Sequence, residues 1–170
     1  GVQTCDLPIL RPEGDRCRVL FCGEATARKG LHLLKQIISA VAARRDDVEF
    51  IVQVNGWQVD AERANEFEAF ATGRGDTRVV KGFLDERAYY ELIADADVVL
   101  LPYQDAVYVT GSSAVFEEAL YFGRPVVVPP ETLMASELAA YPDAGRVAGG
   151  RGAGAFADAL LDLISDYPRF

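Results

Sequence analysis

Glu118 lies in a stretch whose residue types and spacing suit a ligand bearing both phosphate and hydroxyl groups. Thr110-Gly111-Ser112-Ser113 precedes an apolar-periodic run that ends at Gly123, and this pattern predicts a helix opened by those four residues. A helix start presents free backbone N–H groups and the positive end of the helix dipole, which together attract anions. The hydroxyls of Thr110, Ser112 and Ser113 add further donors. Simple N-capping by Thr, Ser or Gly accounts for the same residue types without a ligand. Glu118 falls about two turns into the helix. An ionised carboxylate offers only acceptors, so it suits vicinal hydroxyls on a ligand whose phosphates lie at the helix start. Glu117 is the next residue and points about 100° away around the helix. Only one of the two can therefore face the ligand, and the other is a solvated helix residue.

The elements that would position these groups are legible on either side. The apolar run 98–101 reads as a buried strand that stops at Pro102, and Pro125 introduces a second, Val126–Val128. A strand–loop–helix–strand unit places the helix N-terminus at the carboxyl ends of the strands, where open parallel sheets bind ligands. The rest of the chain repeats the theme. Residues 1–16, with Pro8, Pro12 and Gly14, read as a lead-in or linker. Short apolar runs at 18–22, Val48–Val54 and 78–80 read as strands, with an edge strand at 146–148. Helical periodicity marks 31–45, Ala61–Ala71, a segment capped by Asp85 and running to about residue 94, 133–140 and 155–166. Arg44-Arg45 would close the first helix at its negative dipole end. The alternation of strand and helix, repeated about six times, predicts an α/β fold with a doubly wound, mostly parallel sheet and helices on both faces. Residues 17–170 form one domain in this reading.

Composition narrows the function classes. The chain has 170 residues, half of them apolar, and a formal net charge of −9. Such a charge argues against non-specific nucleic-acid binding, which needs phosphate-neutralising Lys and Arg, but leaves room for one nucleotide in a locally basic pocket. No apolar run approaches the roughly 18 residues that span a bilayer, and no signal-like segment opens the chain. Cys5, Cys17 and Cys22 are odd in number and lack CxxC spacing, which predicts reduced, partly buried thiols and a cytosolic setting rather than a zinc site or disulfide framework. His32, the one histidine, sits early in the first helix and reads as solvent-facing or packed. Asp95 and Asp97 fall at the amino end of their strand, away from the ligand edge, and read as structural.

The residues at 111–127 also carry a family resemblance. The stretch resembles the donor-binding motif of retaining glycosyltransferases of family 4, which have the GT-B fold. That pattern runs Glu-Gly-Phe-Gly, a spacer, Glu-Ala, an apolar run, Gly, Lys or Arg, Pro-Val-Val. Gly111, Glu118, Ala119, Gly123, Arg124, Pro125, Val126 and Val127 match in register. Thr110 stands where the family has its first Glu. The loop 23–30 is similar to the family's Gly-Arg-Leu, spacer, Lys-Gly: Gly23, Lys29 and Gly30 match, whereas Glu24 replaces the Arg. Lys81-Gly82-Phe83-Leu84 resembles the segment after the third strand. A tight turn with a core Phe explains it equally well.

The resemblance implies a Rossmann-like donor domain, the C-terminal half of a two-domain enzyme. It assigns Lys29, Gly111 and Ser112 to the donor diphosphate, with Arg28 either taking over from the missing Arg or leaving the site weaker. It assigns Glu118, rather than Glu117, to the ribose, Thr110 to the sugar, and the backbone at Gly82 and Phe83 to the base. The implied partners are a nucleotide sugar, built on UDP or GDP, as substrate and an N-terminal acceptor-binding domain outside this chain. The implied location is cytoplasmic, with any membrane attachment made by parts outside the chain. No cofactor or metal is expected, and the isolated domain is expected to be inactive in transfer. Trp57, in the Asn55-Gly56-Trp57 turn, would line the cleft or pack as a half-buried aromatic. Glu24 and Thr110 also suit a second reading, a non-catalytic nucleotide-binding or interaction module derived from this fold. A P-loop or dinucleotide-binding domain is excluded by the lack of GxxxxGK[ST] and GxGxxG after the first strand. A response-regulator-like domain would need an acidic cluster there, where only Glu24 stands.

Overall fold

The computed structural model describes residues 16–55 and 61–166. The expected lead-in up to residue 15, Cys5, Gly56 and Trp57 lie outside the described residues. Strand and helix alternate as expected: β1 (Cys17–Phe21), α1 (Leu31–Ala42), β2 (Val48–Val54), α2 (Ala61–Ala71), β3 (Thr77–Lys81), α3 (Glu86–Ala94), β4 (Val98–Leu100), α4 (Ala114–Tyr121), β5 (Val126–Val128), α5 (Leu133–Leu138), β6 (Gly145–Val147) and α6 (Ala153–Asp166). The six strands form one sheet in the order β3-β2-β1-β4-β5-β6, and every pairing is parallel.

Side-chain alternation along the strands sorts the core into two layers, because successive residues of a strand face opposite sides of the sheet. Val19, Phe21, Phe50, Val52, Val98, Leu100 and Val127 join Leu34, Ile38, Phe67, Phe156 and Leu160 on the face covered by α1, α2 and α6. Leu20, Cys22, Ile51, Val99, Leu101, Val126 and Val128 join Ile93, Phe116, Ala119 and Met134 under α3, α4 and α5. Both faces are covered, which is why the strands read as continuous apolar runs rather than alternating ones.

Three local outcomes differ from the sequence reading. Helix α1 stops at Ala42, so Arg44 and Arg45 lie past it and pair with Asp158 and Asp47 instead of closing its last turn. The polar loop after β4 contains a short 3₁₀ turn, Ala106–Val109, capped by Asp105. Helix α4 starts at Ala114 with Ser113 as its N-cap, so Thr110 closes the 3₁₀ turn and does not open the helix. Asp97 is structural as expected: its carboxylate accepts the Arg18 N–H at 2.7 Å and ties β4 to β1.

Candidate functional site

The strand order reverses between β1 and β4, whose pairing is Val19 with Val98 and Leu20 with Val99. At such a switch point, the loops leaving the two strands diverge to opposite faces and open a crevice at their carboxyl ends. The loop 22–30 leaves β1 and the segment 101–113 leaves β4. They are locked together by backbone geometry. Gly30 adopts φ +84°, and a Cβ there would lie 2.0 Å from the Pro102 carbonyl oxygen. Gln104 adds a three-way tie: its N–H donates to Arg28 O at 2.8 Å, and its side-chain amide donates to Pro102 O at 3.0 Å and Arg151 O at 3.2 Å. Behind the β1 loop, buried Gln53 accepts the Gly23 N–H at 3.2 Å.

Lys29 folds inward over this crevice. Its Nζ lies 5.2 Å from the centroid of the Tyr103 ring and would be 2.9 Å from a Cβ on Gly23, so Gly23 provides the room that the ammonium uses. Burial lowers the Lys29 pKa below its ordinary value, with Cys22, Glu24 and Glu118 opposing that shift and Arg28 adding to it. Arg28 points outward, its Nε 2.5 Å from the Asp105 carboxylate. That carboxyl is held below the usual range by the Val107 N–H and by Arg28. Glu24 is exposed and pairs with Asn55 through an isolated parallel bridge.

Across the crevice, Ser113 caps α4 by accepting the Phe116 N–H at 3.4 Å and lies 3.3 Å from the buried Tyr103 hydroxyl. Glu118 is half-buried and accepts from the Tyr89 hydroxyl at 2.6 Å. Glu117 is exposed, so the helix turns Glu118, the residue picked by the motif register, inward. Gly111 donates its N–H to Val107 O at 2.8 Å, and Thr110 and Ser112 are exposed. Gly82 adopts φ +81° at the end of β3. Phe83 is 64% exposed just before α3, which corrects the reading of a core Phe. His32 is exposed on α1. Cys22 is buried and Cys17 half-buried. Among the described residues, no three metal-ligating side chains converge.

Sequence reasoning thus names Lys29 and Glu118, which the fold brings into one electrostatic neighbourhood. It misses Tyr89, Tyr103, Gln53, Gln104 and Asp105, whose roles arise from contacts between elements. The polarity of Gln53 near the end of a largely apolar strand is the one signal among them that a sequence carries.

Architecture and site together define a Rossmann-like α/β domain with a cation and a carboxylate facing across its switch-point crevice. Residues 16–166 match the model of the family described as glycosyl transferases group 1. The chain belongs to that family. No curated protein sequence matches it. Among solved structures it is similar to a trehalose-6-phosphate synthase studied for glycosyl transfer with retention (TM-score 0.73, 14% identity, 91% of this chain and 38% of that one). It is also similar to an E. coli trehalose-6-phosphate structure bound with UDP-2-fluoro glucose (0.73, 14%, 90% and 37%). A third is a Listeria monocytogenes protein assigned as a UDP-N-acetylglucosamine 2-epimerase (0.67, 17%, 90% and 37%). The chain spans under two fifths of the length of these structures, and at such identities the likeness concerns the fold. No helix among the described residues is long and apolar enough to cross a membrane.

Proposed function

We propose that this chain is the donor-binding domain of a glycosyltransferase that moves a sugar from a nucleoside-diphosphate sugar to an acceptor. The observation that carries the reading is the placement of Lys29 on the β1–α1 loop, its ammonium folded over Gly23 and the Tyr103 ring, beside α4, which turns Glu118 inward. Lys29 serves as a point charge for the diphosphate, and the N–H groups opening α4 at Ala114 and Val115 add to it. Arg28 joins them when it exchanges Asp105 for phosphate. Negative charge develops on the leaving diphosphate as the glycosidic bond breaks, and fixed dipoles and cations placed there stabilise that transition state. Glu118 accepts from the ribose hydroxyls. Thr110 and Ser112, exposed beside the crevice, face the sugar and phosphate, and the backbone at Gly82 and Phe83 reads the base.

The structure solved with UDP-2-fluoro glucose supports a uridine or related donor. No metal is required by this site, since the cations named neutralise the diphosphate. The acceptor falls to a second domain outside this chain, so the isolated domain binds donor and transfers nothing. A cytoplasmic location, with any membrane attachment made elsewhere in the protein, accompanies this reading. Glu24 and Thr110, each in place of a charged residue of the family motif, favour a second reading in which the site binds nucleotide without transfer.

The test is calorimetric titration of the chain with UDP, GDP and ADP, alongside Lys29→Ala and Glu118→Ala. Binding of one diphosphate, weakened about tenfold or more by each substitution, is the expected outcome, since hydrogen bonds to charged groups contribute about 1.5–3 kcal/mol. No heat from any diphosphate at millimolar concentration would sink the donor-site reading. Turnover of a nucleotide sugar by a longer protein containing this domain separates the two readings.

A further inference from the structure

The donor-site reading leaves Tyr89 without a task, although its hydroxyl makes the shortest contact to the proposed ribose ligand Glu118, at 2.6 Å. The phenol is held from a rigid root. Asp85 caps α3 by accepting the Ala88 N–H at 2.8 Å, Tyr89 sits in the first turn with its N–H on Asp85 O at 2.9 Å, and its ring lies 5.6 Å from that of Tyr90. Behind it, just past β1, the buried Cys22 thiol lies in the same neighbourhood. The end of β1, α3 and α4 therefore meet around Tyr89 and Glu118.

The direction of the Tyr89–Glu118 bond follows from donor inventory: an ionised carboxylate can only accept, so the phenolic proton goes to Glu118. Burial favours this order, because it raises Tyr89 well above its ordinary value and keeps the phenol protonated at neutral pH. Burial likewise pushes the neighbouring Cys22 thiol up to about 12.

We propose that Tyr89 is a positioning residue: its hydroxyl clamps one oxygen of the Glu118 carboxylate and leaves the other aimed at the ligand's ribose hydroxyls, so that this contact sets the preference for ribose over 2′-deoxyribose. The inference rests on the donor-site reading and names a residue that reading does not use. Without the clamp, Glu118 has its rotamers restored and must lose that freedom again on each binding event.

The test is titration of the whole chain and its Tyr89→Phe variant, which keeps the ring and removes one oxygen, with UDP, GDP and ADP and with their 2′-deoxy counterparts. The wild type is expected to prefer the ribonucleotide it binds. Tyr89→Phe is expected to lose about tenfold or more in affinity for that ribonucleotide, the scale of one hydrogen bond to a charged group, and clearly less for the 2′-deoxy counterpart, which offers Glu118 only the 3′-hydroxyl. An unaltered ribose preference in Tyr89→Phe overturns the inference, as does an equal loss for both sugars, which would mark a merely structural role. A wild type that binds diphosphates without preferring ribose overturns it as well while leaving the phosphate site standing. A wild type that binds no diphosphate removes the donor-site reading itself, and this inference with it.

Discussion

Lys29 keeps a charge where burial works against it. The ammonium sits over Gly23 and against the Tyr103 ring, and desolvation lowers its pKa despite Cys22, Glu24 and Glu118. A base whose folded pKa lies below its unfolded value leaves the unfolded chain holding more protons between the two, so stability rises with pH across that window. The folded value here is lowered from 10.5. The penalty is thus fully present at neutral pH and is relieved as pH climbs from the lowered value towards 10.5. Lys29→Met, which keeps an unbranched chain one atom shorter and removes the charge, is expected to be at least as stable as the wild type in urea at pH 7 while losing diphosphate binding. The stability gap between the two should close as the pH approaches 10. A variant less stable than the wild type at pH 7 would mean that the charge is well accommodated. Comparing the two proteins at each pH removes the opposite alkaline effect of Cys22. Its folded pKa is raised from 9.0 to about 12, so it costs stability in both proteins as pH rises through that range.

At the scale of elements, the site depends on how closely the β1 loop approaches the β4 loop. Gly30 is in the left-handed region, φ +84°, at the start of α1, and the Pro102 carbonyl occupies the place of its missing Cβ. Backbone cannot yield here as a flexible side chain would. Gly30→Ala combines positive-φ strain with a backbone clash and is expected to lower the unfolding free energy by about 2–4 kcal/mol in urea denaturation. It should also weaken diphosphate binding, because Lys29 and Arg28 hang from the same loop. A loss under about 0.5 kcal/mol, the size of an ordinary surface substitution, would show that the two loops can separate freely. The 3₁₀ turn at Ala106–Val109 has a related effect: it consumes the Gly111 N–H on Val107 O and moves the available anion-facing N–H groups on to the start of α4.

The described residues form one sheet with two covers, and its two apolar layers share the central strands through the alternation of Val19 with Leu20 or Val99 with Leu100. Neither layer can melt without stripping the strands of the other. Thermal unfolding is expected as a single transition, with calorimetric and van't Hoff enthalpies equal. A ligand bound only by the folded state adds RT ln(1 + [L]/Kd), about 2.7 kcal/mol at a hundredfold excess over Kd. The diphosphate that binds the crevice should therefore raise the midpoint of that one transition in a concentration-dependent way. Two resolved transitions, one of them insensitive to ligand, would contradict a shared sheet.

By itself, the sequence determined the α/β alternation, the burial of the strands, the register that selects Glu118 over Glu117 and the cation at Lys29. Each of these rests on residues close together in the chain: apolar runs fix strands, 3.6-residue periodicity fixes helices, and a motif fixes spacing. Helix ends were less legible. Ser113 and Thr110 are both capable caps, and the choice between them fell to Ser113 because its hydroxyl also meets Tyr103 and because the 3₁₀ turn had already used Thr110 and Gly111. Only the tertiary structure decided that Arg28 is held by Asp105, that Gln53 and Gln104 tie the loops, and that Tyr89 reaches Glu118 across 29 residues of sequence. Those contacts depend on β1, α3 and α4 being brought together by the strand order, and strand order is set by packing both faces of the sheet at once, which no local pattern encodes.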